Sequence, residues 1–445
     1  VSGGTITIQN IDEVASYLDF AIDVDSRVSS SPGVYLSGAN ISIQDVAIPE
    51  FDHDGDSSTA DVRSADGIVA NSGTGNINIG ADDPANGPAI GPIFTDGTGI
   101  YANSVGGTID VAATGDIAAG DYGVRVNAGA GAGNVSVSVN NAYGSAQEGV
   151  FVSTQDSTLD AAITSTGTVR GGTDGIEFFH RGAGLASLDV QNVYGAGAFG
   201  VRLDTETGRS TGLDIDISGT VQGAQKGIHV DHLASGSADI ALTGSVIGDT
   251  ETGFYFNGSA TGAGLTVTGG SSGMIAGATH GLDVIMTYAD LIVEDFASIA
   301  GGVLDGVRVQ MDGGNVTIRN IASVTSASRF AVDVSNYYYD TVIENIAVPQ
   351  IGGTDRSDSG IRVRGLGGGN IDIGGTSTAT AIDDVWTVND GILAQAYYDG
   401  NLNINADGVI DSGNASGINA QSEAGAITIT ALGDVTGGAH GSYAR

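Results

Sequence analysis

The chain has no cysteine, and only 6 Pro, 3 Met and 1 Trp among its 445 residues. Without thiols it forms no disulfides and no thiolate metal sites. No run of about 20 apolar residues is present, so no segment is suited to cross a bilayer as a helix. Basic side chains are scarce: 15 Lys and Arg stand against 52 Asp and Glu, a formal net charge of −37. Such a surface repels phosphate backbones and anionic headgroups, which argues against nucleic acid and leaves divalent cations or high salt as a better match. Lys, Glu and Leu are too few for long helices. The 73 Gly follow no strict three-residue period, so collagen is excluded, and 41% hydrophobic residues are too many for a disordered linker. An all-β chain with many turns remains. Its length would ordinarily suggest about three domains. Val1 is neither Met nor part of a signal peptide, so the chain reads as a piece of something longer.

What is abundant is a repeat. A unit of Gly, aliphatic, variable, aliphatic recurs as Gly123-Val124-Arg125-Val126, Gly149-Val150-Phe151-Val152, Gly175-Ile176-Glu177-Phe178 and onwards to Gly417. From Gly99 the steps between successive starts run 24, 26, 26, 25, 27, 26, 28, 25, 25, 29, 31 and 26. Each step holds a second alternating strand, such as Val135-Ser136-Val137-Ser138-Val139, and a shorter third piece, such as Gly219-Thr220-Val221-Gln222-Gly223. Alternation at period 2 means one buried and one wet face. Three short strands per coil of about 25 residues, separated by Gly-rich bends, describe a parallel β-helix whose coils bury their apolar faces only by stacking. Right-handed winding is the default. Corner glycines are expected to supply left-handed φ values and tight turns.

A longer repeat overlies the coils. Residues 3–24 align without gaps to residues 313–334, with 12 identities in 22. The expectation is one continuous solenoid over residues 1–445, made of a first block (1–310) and the opening of a homologous second block (311–445). Neither end shows the polar cap an isolated solenoid needs, which reads as an excerpt of a longer array.

The frame of alternating Ile/Val strand, Gly-rich corner and Gly-Ile-x-Val, seen from Ile109 to Val126 and from Leu402 to Ala420, resembles the passenger regions of type V autotransporters and giant repeat adhesins of Gram-negative bacteria. The resemblance spans essentially the whole chain and is generic. It implies an extracellular, surface-displayed rod and names no receptor; the partners expected are glycans or proteins of a host or cell surface, or copies of the same chain.

Four groups of residues invite chemistry. Asp52, Asp54, Asp56 and Asp61 place carboxylates at alternate positions around Gly55, which suits a hard cation such as Ca2+. An acidic loop that merely keeps the chain soluble is the other reading. Asp383-Asp384 beside Trp386 is the nearest approach to a glycosidase pair, but successive strand residues face opposite sides unless a bend intervenes. No catalytic residue is assigned. The variable position of Gly-Ile-x-Val points outward, and its last members alternate Asp283, Arg308, Asp333, Arg362, a charge ladder on successive strands. Its earlier members include Tyr101, Phe151 and Tyr255, aromatic anchors of the kind interfaces use. Tyr337, Tyr338 and Tyr397 sit at corners, where sugar stacking, self-association or simple corner filling are alternatives.

The reading is a non-enzymatic, surface-exposed bacterial rod: an adhesin stalk or extracellular fibre. A self-assembling filament or surface-layer subunit and a carbohydrate-active lyase or hydrolase on the same solenoid are the alternatives.

Overall fold

A computed structural model describes residues 5–11, 14, 20–25, 28–31, 34–36, 40–48, 63–80, 90–155, 159–206, 212–258, 264–350, 356–375, 377 and 379–445. The fold is nearly all parallel β, a solenoid of about 13 turns with about 26 residues per turn. Contacts divide it into two compact units, Val1–Ile217 and Ser218–Arg445. The block boundary read from the sequence at residue 310 lies inside the second unit and is structurally silent. There strand Val307–Asp312 pairs in parallel register with Phe330–Asn336, with Arg308 opposite Asp333.

In the first unit the Gly-Ile-x-Val strands Ile100–Ser104, Val124–Ala128, Val150–Thr154, Ile176–His180 and Val201–Thr205 stack in parallel register. Each buries alternate residues, so Val150 and Val152 lie inside over Ile176 and Phe178. The other wall differs from the three-strand expectation. The second and third strands are fused into single long strands, Ile109–Ala119, Val135–Gly144 and Ala161–Gly171. Their register shifts between Ala113 and Asp116, and between Val139 and Ala142. A bulge bends such a strand while its ladder continues on either side. Among the described residues one pairing is antiparallel, between Val28–Ser31 and Val34–Leu36.

In the second unit three strands per coil are distinct, as in Phe254–Gly258, Leu265–Thr268 and Met274–Gly277, with a short 3-10 turn at Gly270–Ser272. Phe254 and Phe256 are buried against the registered Leu282 and Val284 of the next coil.

The glycines that open each coil play a different part from the one expected. Among the described residues, left-handed φ values fall on Asn10, Asp45, Tyr288, Asp295, Asn320, Tyr338, Asn345 and Tyr398, and on other glycines such as Gly313 and Gly368. Asn and Asp tolerate that region because a short polar side chain finds a local partner. Here Asn320 donates to Asp295 Oδ1 (2.9 Å) and Asn345 donates to Asn320 Oδ1 (3.0 Å), a ladder of side-chain amides down one corner. Gly149, by contrast, is demanded by space: a Cβ there would lie 2.6 Å from Val169 Cγ1 and 2.8 Å from Arg170 O. Gly149→Ala is therefore expected to cost about 1–3 kcal/mol through overpacking. Gly264→Ala, whose nearest neighbour would be Asp290 O at 3.5 Å, is expected to stay within about 0.5 kcal/mol. Urea denaturation of both variants measures the contrast.

Candidate functional site

Parallel register turns residues one coil apart in sequence into columns one strand apart in space. On the outward face of the first unit, Tyr101, Arg125, Phe151, Glu177 and Arg202 form one such column. The Arg125 guanidinium lies 5.7 Å from the Tyr101 ring, 4.8 Å from Tyr122 and 5.6 Å from Phe151. Phe151 meets Tyr122 and Phe179 edge-on at 5.9 and 6.0 Å, and Arg202 sits 5.2 Å from Phe179. Cation–π and edge-to-face contacts hold this cluster together. Tyr101 and Phe151, offered by the sequence as free anchors, are half-buried and lean on their own neighbours. In the second unit Tyr255 stacks on His229 at 4.9 Å with Lys226 5.4 Å from its ring.

Beside the aromatic cluster stands an acidic one that the sequence reading missed. Ligand atoms of Glu148, Asp174 and Glu177 lie within 4.8 Å of one another. Glu148 and Asp174 are the residues just before Gly149 and Gly175, and both are buried. Their signal in the sequence is the column of residues that precede the coil glycine, distinct from the column of variable residues after it. Thr173 donates to Glu148 Oε1 (2.7 Å), the Phe199 amide to Asp174 Oδ1 (2.8 Å) and Arg202 to Glu177 Oε1 (3.1 Å). Burial, with Glu148 adding to it, pushes the Glu177 carboxyl up to about 7 against the pull of Arg202. The Tyr122 hydroxyl is raised by burial and by Glu148. Its all-oxygen donor set is of the kind hard divalent cations take.

The ladder column of the second unit runs Tyr255, Asp283, Arg308, Asp333, Arg362 in register. It resolves into two bidentate pairs. Arg308 donates to both Asp283 oxygens at 2.7 Å. Arg362 donates to Asp333 Oδ1 at 2.8 Å and to Oδ2, and lies 4.0 Å from the Phe330 ring. The pairs are less wet than a surface ladder: the Asp283 and Asp333 side chains are 4% and 7% exposed. His280 adds cover, with Nδ1 4.0 Å from Asp283 and Nε2 3.6 Å from Asp305.

The tyrosine corners are open. Tyr337, Tyr338 and Tyr398 are 42%, 66% and 63% exposed, while Tyr397 is half-buried. Tyr288, passed over in the sequence, is 58% exposed at the same corner. Tyr288, Gly313, Tyr338, Gly367 and Tyr398 follow one another on successive coils, two residues beyond the registered Met286, Met311, Asn336, Gly365 and Ala396. A Cβ on Gly313 would lie 3.0 Å from Tyr288 Cδ1, and one on Gly367 would strike the Tyr338 ring. The Tyr288 and Tyr338 rings thus each rest over a glycine.

Asp383 and Asp384 directly precede strand Val385–Thr387 and both border a cleft of ≈ 440 Å³ with Trp386. Both lie outside the strand and are exposed, so strand alternation does not set them on opposite faces. Asp384 Oδ1, however, accepts the Val409 amide at 2.8 Å, and Arg356, 5.3 Å from Trp386, is bonded to Asp411. The four aspartates Asp52, Asp54, Asp56 and Asp61 lie outside the described residues.

With this geometry in hand, comparison with protein-family models, curated proteins and solved structures returns no match.

Two outcomes follow from the buried charges. Glu177 keeps its proton in the folded state between about pH 4.5 and about 7, where the unfolded chain has lost it. More protons bound when folded means that stability from this group falls as pH rises through that window. Glu177→Gln removes this dependence, so thermal midpoints of the variant should gain on the native chain from pH 5 to 7.5. Arg308→Ala leaves the Asp283 carboxylate buried without its partner, at an expected cost of about 2–4 kcal/mol. Arg319→Ala, which breaks the outer pair with Glu294 (Arg319 44% exposed), is expected to cost at most about 1 kcal/mol in the same denaturant titration.

Proposed function

We propose that this chain is a non-enzymatic, surface-exposed or secreted bacterial β-helix that serves as an adhesin stalk or extracellular fibre. The observation that carries the reading is the coil-to-coil register inside each unit. Within each unit backbone ladders join consecutive described coils, and at several of them outward side chains add a second tie. Arg125, Arg308 and Arg362 spend their guanidinium groups on the coil before or after them. Outward side chains devoted to their own neighbours make a surface built for stiffness rather than turnover. The acidity, −37 overall, fits a fibre that repels its copies laterally and is open to bridging by divalent cations. Such a cation is part of the proposal, as is the outer-surface location.

The Asp383, Asp384 and Trp386 cleft is the observation that favours the rival, a carbohydrate-active enzyme. Two measurements separate them. Pulled from its two ends in an optical trap, a stacked-coil spacer is expected to unravel in steps of about one coil. With about 26 residues per turn, each step releases a contour of roughly 90 Å. Incubation with neutral and acidic polysaccharides is expected to yield no new reducing ends and no unsaturated products. Turnover that disappears in Asp383→Asn or Asp384→Asn would assign the chain to the enzymes instead.

A further inference from the structure

The cations of the second unit are almost all spoken for. Lys226, Arg308, Arg319, Arg329, Arg356 and Arg362 each pair with a carboxylate. Arg364 and the exposed Arg445 do not; the hydrogen bond of Arg364 among the described residues runs to Ser335 Oγ at 2.8 Å, and its Nε is buried with no partner. An unpaired guanidinium is conspicuous in a chain with a net charge of −37, because every nearby acid would gain by reaching it.

Arg364 lines a cleft of ≈ 310 Å³ together with Gln310, Asp312, Ser335 and Tyr337. The floor is a second outward column, in which Gln310, Ser335, Arg364, Gln395 and Gln421 are registered strand to strand. A further cleft of ≈ 440 Å³, bordered by Gln395, Gln421 and Tyr397, therefore continues the first along the same column. The wall is aromatic. Tyr337 follows Asn336 and Tyr397 follows Ala396, and both of those residues are registered to opposite sides of Gly365. The two tyrosines stand two coils apart, ~9.6 Å at the usual strand spacing. That is close to the length of one disaccharide in an extended β-linked chain. Amide and hydroxyl groups below, an aromatic ring at each disaccharide step, and the uncommitted guanidinium of Arg364 between them, with Arg445 at the far end of the groove, match the faces, hydroxyls and carboxylate of a sugar polymer.

We infer that the groove running from Gln310 to Gln421 along the second unit binds an extended oligosaccharide that carries one carboxylated sugar per disaccharide, with the carboxylate on Arg364 and sugar rings against Tyr337 and Tyr397. Acidic groups more than ~8 Å from Arg364 are largely screened at physiological salt; of the two carboxylates that border the groove, Asp312 and Glu423, Glu423 accepts the Tyr398 amide. Asp312 and the Gln amides take sugar hydroxyls. The inference rests on the adhesive reading above in naming its partner as a glycan, but it does not need the stalk, so a chain that fails the pulling experiment can still bind.

Isothermal titration of the full 445-residue chain with a hyaluronan hexasaccharide, and with its carboxyl-methyl ester, tests the assignment. Saturable binding of the acid form is expected, at least tenfold weaker for the ester. Arg364→Gln is expected to weaken the acid form at least tenfold and to leave the two forms equal. Tyr397→Ala is expected to weaken both forms about equally, and circular dichroism verifies that each variant is folded. No saturable binding of either form overturns the inference. So does equal binding of acid and ester by the native chain, or affinity unchanged in both Arg364→Gln and Tyr397→Ala.

Discussion

Everything in this molecule depends on parallel backbone pairing between consecutive coils. A coil of about 26 residues has too little apolar surface to hold itself together, and its strand edges are unsatisfied until the next coil arrives. Once strands lock in register, the side-chain period of two fixes which residues go inside and which go out. Val150, Ile176 and Val201 become a core column by that rule, and Phe151, Glu177 and Arg202 a surface column. Loss of register by one residue would exchange the two.

Stacking also changes what a charged or aromatic residue experiences. A side chain on an ordinary exposed strand is surrounded by water. Here its immediate neighbours are the equivalent positions one strand before and after. Asp283 loses nearly all its water to Arg308 and His280, and Glu177 is crowded by Glu148 and Asp174. Arg125 lies among three rings. The outer face thus behaves as a partly dry layer, where pairing matters more than at a free surface. Arg364 departs from that pattern, which is why it draws notice.

The coil architecture was legible because Gly-Ile-x-Val recurs with little drift, and the column of variable residues could be read off before any coordinates. Asp283 pairs with Arg308 and Asp333 with Arg362, two separate pairs within the alternating column. What stayed hidden depended on geometry across coils of unequal composition. The fused strands of the first unit replace a turn by a bulge, and Ala161-Ala162-Ile163-Thr164-Ser165 carries no mark of it. The expectation that corner glycines take left-handed φ holds at Gly313, Gly314 and Gly368 but does not cover every corner. The glycines opening the coils are there to let a neighbouring backbone approach, whereas Asn320 and Tyr338 carry the left-handed turns. Glu148 and Asp174 were missed because their partner, Glu177, belongs to a different column, and only the third dimension brings the columns together.

The corner where tyrosine and glycine alternate has a bearing on how such an array can change in length. Tyr288 covers Gly313, Tyr338 covers Gly367, and Tyr398 comes next. Excising a single coil from this stretch would set two bulky rings shoulder to shoulder, or leave two bare glycines adjoining with nothing over them. Excising a pair restores the original neighbours. Over these turns the smallest interchangeable module is therefore a doublet, although the backbone alone repeats once per circuit.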